Sequence, residues 1–234
     1  MRKIISIIII SIITILVATL IFLSTSGIKT DNFNSLINEK VKEIDPKIKL
    51  KLNQVNFKLN PSNFEFEIFT LDPQILINEK KVDLEIIKSD LNLLDYFNNK
   101  NPISEISIIS KESNIDQFTD FINEYDFNLA RNLIFKQIKK GKVKLISNIN
   151  FSEKNPKNIK YIINGYVKDV EIKLLNESKI KNIKFNFFVD QDFINLNKIE
   201  LLFDKIFVSS EKINIKKLII ILIFQEILKQ TRLK

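Results

Sequence analysis

The chain has 234 residues, with 36 Lys and Arg against 28 Asp and Glu, a formal net charge of +8, and neither Cys nor His. The two absences exclude disulfides, thiolate nucleophiles, Cys or His metal sites and the His-dependent catalytic triads. With three Gly in all, no phosphate-cradling loop can be assembled, and enzyme chemistry would be left with carboxylates, Lys and Tyr.

Residues 4–23 are twenty positions without charge, Pro or Gly, and fifteen of them are Ile, Leu, Val or Phe. As a helix they would be about 30 Å long, the thickness of a bilayer's hydrocarbon core, with a gross insertion free energy of about 6 kcal/mol. The hydroxyls of Ser6, Ser11, Thr14 and Thr19 reduce that little, because each can bond back to a carbonyl one turn earlier. Arg2 and Lys3 precede the segment and the nearly neutral Ser24-Thr25-Ser26-Gly27 follows it, so the positive-inside rule leaves the rest of the chain exported. A cleaved signal peptide is disfavoured: its apolar core is usually about 7 to 15 residues, and here no small-x-small site follows. Export also removes nucleic acid as a partner. The Lys excess then reflects either an anionic membrane surface or the A/T-rich codons that abundant Ile, Lys, Asn and Phe imply.

Past the anchor, Phe33, Leu36, Ile37, Val41 and Ile44 form one helical stripe, with Thr30 or Asp31 as N-cap and Pro46 as the stop. Its mixed polar face favours packing on the domain over lying on headgroups. The period then changes to two. Ile48, Leu50 and Leu52 alternate with Lys; Val55, Phe57 and Leu59 follow after a slip at Asn53-Gln54 that suggests a bulge. A turn at Pro61-Ser62-Asn63 leads to Phe64, Phe66 and Ile68, and a hairpin about 78–81 joins Ile75 and Ile77 to Val82, Leu84 and Ile86. Residues 89–97 read as a short helical turn with Leu91, Leu94 and Phe97 inward, and 103–109 as a strand.

Two helices are expected next, at 116–125 with Phe118, Phe121, Ile122 and Tyr125 on one side, and at about 127–140 with Ala130, Leu133, Ile134 and Ile138 inward and Gly141 as C-cap. Beyond Gly141 the alternation resumes through Val143 and Leu145, then 159–163, 170–174, Ile183 to Val189 with Phe185 and Phe187, 193–203, 206–208 and 213–215. Tight turns at 153–156, 176–178 and 190–192 make this an antiparallel meander.

The order of elements resembles the N-terminus of AsmA-like envelope proteins, the group that includes AsmA, TamB and YhdP. The likeness is carried by the anchor, the juxtamembrane helix, the amphipathic ladder, and Val82-Asp83-Leu84-Glu85-Ile86 running through the Leu91 to Phe97 turn into Ile103-Ser104-Glu105-Ile106-Ser107-Ile108. The insert around Ile115-Asp116-Gln117-Phe118-Thr119-Asp120-Phe121 and the meander opening at Lys140-Gly141 are most similar to the YhdP side. The resemblance reaches to about Lys216 and implies an inner-membrane, single-pass protein of a bacterial cell, with a periplasmic groove of β-strands that conducts phospholipid.

The expected fold is mainly β with α: an N-terminal transmembrane helix (1–27), a juxtamembrane amphipathic helix (28–46), and an antiparallel, curved, groove-like β-meander (47–217) with a short helical insert (116–140). Residues 218–234 read as a hydrophobic tail, a buried strand, or an out-of-frame ending generated by a shift in the A-rich tract near Lys216-Lys217. Candidate lipid-contacting residues are Leu50, Leu52, Phe57, Phe64, Phe66, Ile68, Val143, Leu145, Phe185, Phe187 and Val189. The same alternation also describes a closed sandwich core, which would make the chain an anchored envelope-assembly module that binds other envelope proteins and no lipid. No cofactor, metal or catalytic group is expected. The carboxylate pairs Glu65/Glu67, Asp116/Asp120 and Asp190/Asp192 read as a solvated face, a helix cap and a turn, and the Asn150 and Asn176 sequons as products of Asn-rich composition.

Overall fold

The computed structural model describes residues 2–98, 100–151, 159–174 and 178–216. The expected turns at 153–156 and 176–178 and the tail at 218–234 lie, wholly or in part, outside the described residues.

Helix α1 (Arg2–Thr25) is long and apolar enough to cross a membrane, as an anchor or a signal sequence would be. Thr14 and Thr19 donate to the carbonyls of Ile10 and Ile15 at 2.9 Å, which removes the cost of their hydroxyls in an apolar medium. Two residues later the chain enters strand β1 (Ile28–Thr30), which pairs with β3 (Val55–Asn60). Thr30 therefore belongs to a strand and not to a helix cap. Helix α2 (Asn34–Ile44) starts later than its periodicity suggested and has no side-chain cap. It packs on β2 (Ile48–Lys51), where Asn38 Oδ1 accepts the Leu50 N–H at 2.9 Å.

The expected slip at Asn53-Gln54 is a full break between β2 and β3. Asn53 Nδ2 donates to the Leu71 carbonyl across it at 3.2 Å. The neighbouring strand breaks at the same level, between β4 (Glu65–Leu71) and β5 (Gln74–Ile77), while β6 (Lys80–Asn92) runs past both. Strand β6 is longer than expected, because Ser89 and Asp90 continue the ladder. Helix α3 (Leu93–Phe97) is capped instead by Asn92, whose side chain accepts the Asp95 N–H at 3.0 Å. Leu94 and Phe97, expected inward, are exposed.

Strands β7 (Ile103–Ser110) and β8 (Ser113–Asn114) lead into α4 (Ile115–Tyr125) and the short α5 (Leu129–Phe135). The second helix of the insert is about half its expected length. Leu133 and Ile134 are exposed, and residues 138–140 belong to β9 (Ile138–Phe151), because Ile138 pairs with Ile172 across the ladder. Gly141 is therefore not a helix cap; it lies within β9 at φ 150°, against Val170. Strands β10 (Ile159–Lys173), β11 (Lys179–Val189), β12 (Phe193–Phe203) and β13 (Ile206–Lys216) complete the meander.

The thirteen strands among the described residues form one antiparallel, curved, unclosed sheet whose main path runs β1-β3-β4-β6-β7-β9-β10-β11-β12-β13. Three adjacent strands carry an extra residue at the same level, at Asp169 in β10, Asn182 in β11 and Lys198 in β12, each in the left-handed region at φ 56°, 53° and 52°. A bulge bends its strand and increases its twist. After each extra residue the next side chain (Val170, Ile183, Ile199) is buried, so the row of bulges turns an apolar stripe inward.

Candidate functional site

Residues opposite one another in an antiparallel ladder share a face of the sheet, and residues two apart in a strand return to it. Followed from strand to strand, the registers define one face that is apolar almost throughout. Phe57 pairs with Ile68, Leu59 with Phe66, and Phe66 with Leu91. Ile106 pairs with Ile149, Ile149 with Tyr161, Ile163 with Val189, Val189 with Ile194, and Ile194 with Ile215. The opposite face carries Lys58, Glu67, Lys88, Lys144, Tyr166, Lys184 and Glu200.

One end of the apolar face is covered. Helix α4 lays Phe118 and Phe121 on it, and Val82, Leu84, Val143, Val167, Val170 and Ile183 are buried in the resulting cluster. Polar contacts on the outer side hold the helix down. Lys80 pairs with Asp120 at 2.8 Å, Asn78 Nδ2 donates to Glu124 at 2.5 Å, and the Tyr125 hydroxyl donates to Asp45 at 2.8 Å, holding the Asp45 carboxyl below its ordinary range.

Toward the end from which α1 leaves, the same face is open. Ile106, Ile149, Phe151, Tyr161, Ile163, Val189, Ile194 and Leu196 are all half-buried and none is buried, as expected where neighbours on a single sheet shield one another and, among the described residues, no second layer lies above. From Ile159 to Gly165, just short of the buried Val167, this open stretch of β10 is about 20 Å long at about 3.3 Å per residue.

Of the sequence-derived candidates, Leu50, Phe57, Phe66, Ile68, Val143, Leu145, Phe185, Phe187 and Val189 share the apolar face. Leu50 joins it through its pairing with Ile75 and that of Ile75 with Val82. Val143 is buried under α4, Phe187 packs against the edge of that cluster, and Val189 lines the open part. Two candidates are displaced. Leu52 lies in the break after β2, and Phe64 lies in the turn before β4, at φ 55° and 60% exposed. The residues sequence reasoning missed are on β7, β10, β12 and β13: Ile106, Ile163, Ile194, Leu196 and Ile215. The alternation Ile194-Asn195-Leu196-Asn197 carries the signal, but the bulge at Lys198 reverses its phase before Leu201-Leu202-Phe203.

Several of the carboxylates singled out have structural partners. Glu67 pairs with Lys88 at 2.8 Å, Asp120 with Lys80, and Asp190 Oδ1 accepts the N–H groups of Asp192 and Phe193 at 2.8 Å. Among the described residues no cluster of three or more Asp or Glu side chains is placed to hold a metal.

The densest charge network is on the polar face around Glu112. Lys168 at 2.6 Å, the Tyr166 hydroxyl at 2.6 Å and Lys142 at 3.3 Å hold its carboxyl at about 2. Because that value lies below the ordinary 4.5, the network stabilises the fold above about pH 4.5, and its contribution disappears as pH falls toward 2. Glu112→Gln is expected to lower the melting temperature at pH 7 and to leave it unchanged at pH 2. Thermal melts at the two pH values check this, and an equal shift at both would refute it.

Compared with known proteins, the chain matches no family model, no curated protein and no solved structure.

Proposed function

We propose that the chain is a single-pass inner-membrane protein whose sheet stands in the periplasm and shelters phospholipid acyl chains on its apolar face, in the manner of AsmA-like envelope proteins. The half of that face left open by α4 carries the reading. It is an apolar trough about 20 Å long, against about 15 Å for one leaflet's share of the hydrocarbon core. Each 100 Å² of acyl surface removed from water there contributes about 2.5 kcal/mol. The order of elements, the anchor-length helix α1 and the polar opposite face support the same reading, and none of these features calls for chemistry on the cargo.

Full-length protein extracted in a mild detergent and analysed by mass spectrometry is expected to carry phospholipid at close to stoichiometric amounts after extensive washing. A lipid-free protein that self-associates through the apolar face would favour the other reading, an anchored assembly module whose face is closed by another protein.

A further inference from the structure

The rim of the sheet at the α1 end carries large apolar side chains that no core explains. Phe64 is 60% exposed at the tip of the β3–β4 turn, and α3 exposes Leu94 at 57%, Tyr96 at 60% and Phe97 at 74%. The two elements are tied together, because the Leu93 N–H donates to the Phe64 carbonyl at 3.0 Å. The Tyr96 and Phe97 rings meet edge to face at 5.7 Å. The two carboxylates beside these side chains are already engaged: Glu65 accepts from Asn63 and Asn92, each at 3.4 Å, and Asp95 lies 4.0 Å from Lys100.

What covers this rim follows from where α1 leaves. Only Ser26 and Gly27 separate α1 from β1. Ile28 is level with Phe57, and Leu23 and Ser24 are the first half-buried residues of the helix, so its last turn lies beside the distal half of β3. From Phe57 to Asn60 is about 10 Å along the strand, with the 61–64 turn just beyond. That distance brings the turn and α3 down to the level at which α1 enters hydrocarbon. Side chains of Phe, Tyr and Leu at that level match the apolar and aromatic belt of a membrane interface.

We propose that Phe64, Leu94, Tyr96 and Phe97 form a lip seated in the interface of the bilayer that α1 crosses, a second membrane contact beside the helix. The inference rests on α1 spanning a bilayer and does not depend on whether the apolar face carries lipid. It seats the open end of that face against hydrocarbon without an aqueous gap.

Because the chain contains no Cys, single-site labelling is clean. Full-length protein would be reconstituted into vesicles of phosphatidylethanolamine and phosphatidylglycerol containing a spin-labelled lipid, with an environment-sensitive fluorophore at Leu20→Cys in α1, Asn98→Cys beside the lip, or Lys205→Cys at the far end of the sheet. The Asn98→Cys probe keeps all four apolar side chains. It is expected to be quenched at least threefold more than Lys205→Cys, and adding Leu94→Ser, Tyr96→Ser and Phe97→Ser should return it to the Lys205→Cys level. These three side chains are exposed, so the triple variant is expected to fold. Quenching at Leu20→Cys with Asn98→Cys no different from Lys205→Cys would overturn the lip while leaving the anchor intact. Absence of quenching at Leu20→Cys would overturn both.

Discussion

Gly165→Val is expected to destabilise the sheet by about 3 kcal/mol or more, a fall in Tm of about 6 to 12 °C for a domain of this size. Gly165 lies in mid-β10 on the apolar face, between Leu145 of β9 and Phe187 of β11. A Cβ placed there would meet the Lys144 carbonyl oxygen and the Phe187 ring. The ring could swing away, but the carbonyl belongs to the β9–β10 ladder and cannot move without breaking it. The sign is informative, because β-propensity alone favours Val over Gly in a strand by about 1 kcal/mol. Gly165→Ala already adds the offending atom and should lose most of the same stability. A thermal melt of the full-length protein in detergent in which either variant melted higher than the parent would remove the close-approach account.

Ile163→Glu is expected to reduce copurifying phospholipid at least tenfold, and Ile162→Glu, one residue earlier, to leave it unchanged. The two side chains point to opposite faces: Ile163 pairs with Ser147 and Val189 on the open apolar face, and Ile162 pairs with Asn148 on the polar one. A carboxylate among acyl chains must either stay charged in an apolar medium or take up a proton, and both penalise the cargo. Both residues are half-buried, so the two variants lose comparable burial and a difference in stability cannot imitate the difference in lipid. Equal lipid content in the two proteins would sink the assignment of the cargo to this face.

Much of this arrangement is legible in the amino-acid order, and the failures have definite causes. Twenty uncharged residues announce α1, and alternation announces most strands with their greasy side. Periodicity does not say whether the apolar side of an element has a neighbour, so the spacing of Leu94 and Phe97 read as inward although α3 has little to lean on. Three-residue β1 is shorter than any pattern can reveal, which is why Thr30 read as a cap. The spacing of Ile134 and Ile138 suits a helix, yet the long ladder with β10 claims Ile138 for β9. Phe64 continues the alternation of Phe66 and Ile68 one step into a turn. The bulges left no mark at all, because Asp169, Asn182 and Lys198 hold left-handed backbone without the glycine that would signal it. The choice of face on either side of them therefore depended on the three-dimensional ladder.

Under the proposed lipid-sheltering role, that row of left-handed residues would also decide what the protein does when nothing occupies its apolar face. Curvature imposed by cargo would relax when the cargo departed, whereas curvature held by main-chain dihedrals in three neighbouring strands persists. The vacant form should thus keep the shape of the filled one, with no collapse to reverse before loading. Its penalty is bare hydrocarbon facing water, which makes the unloaded protein the species most prone to clump.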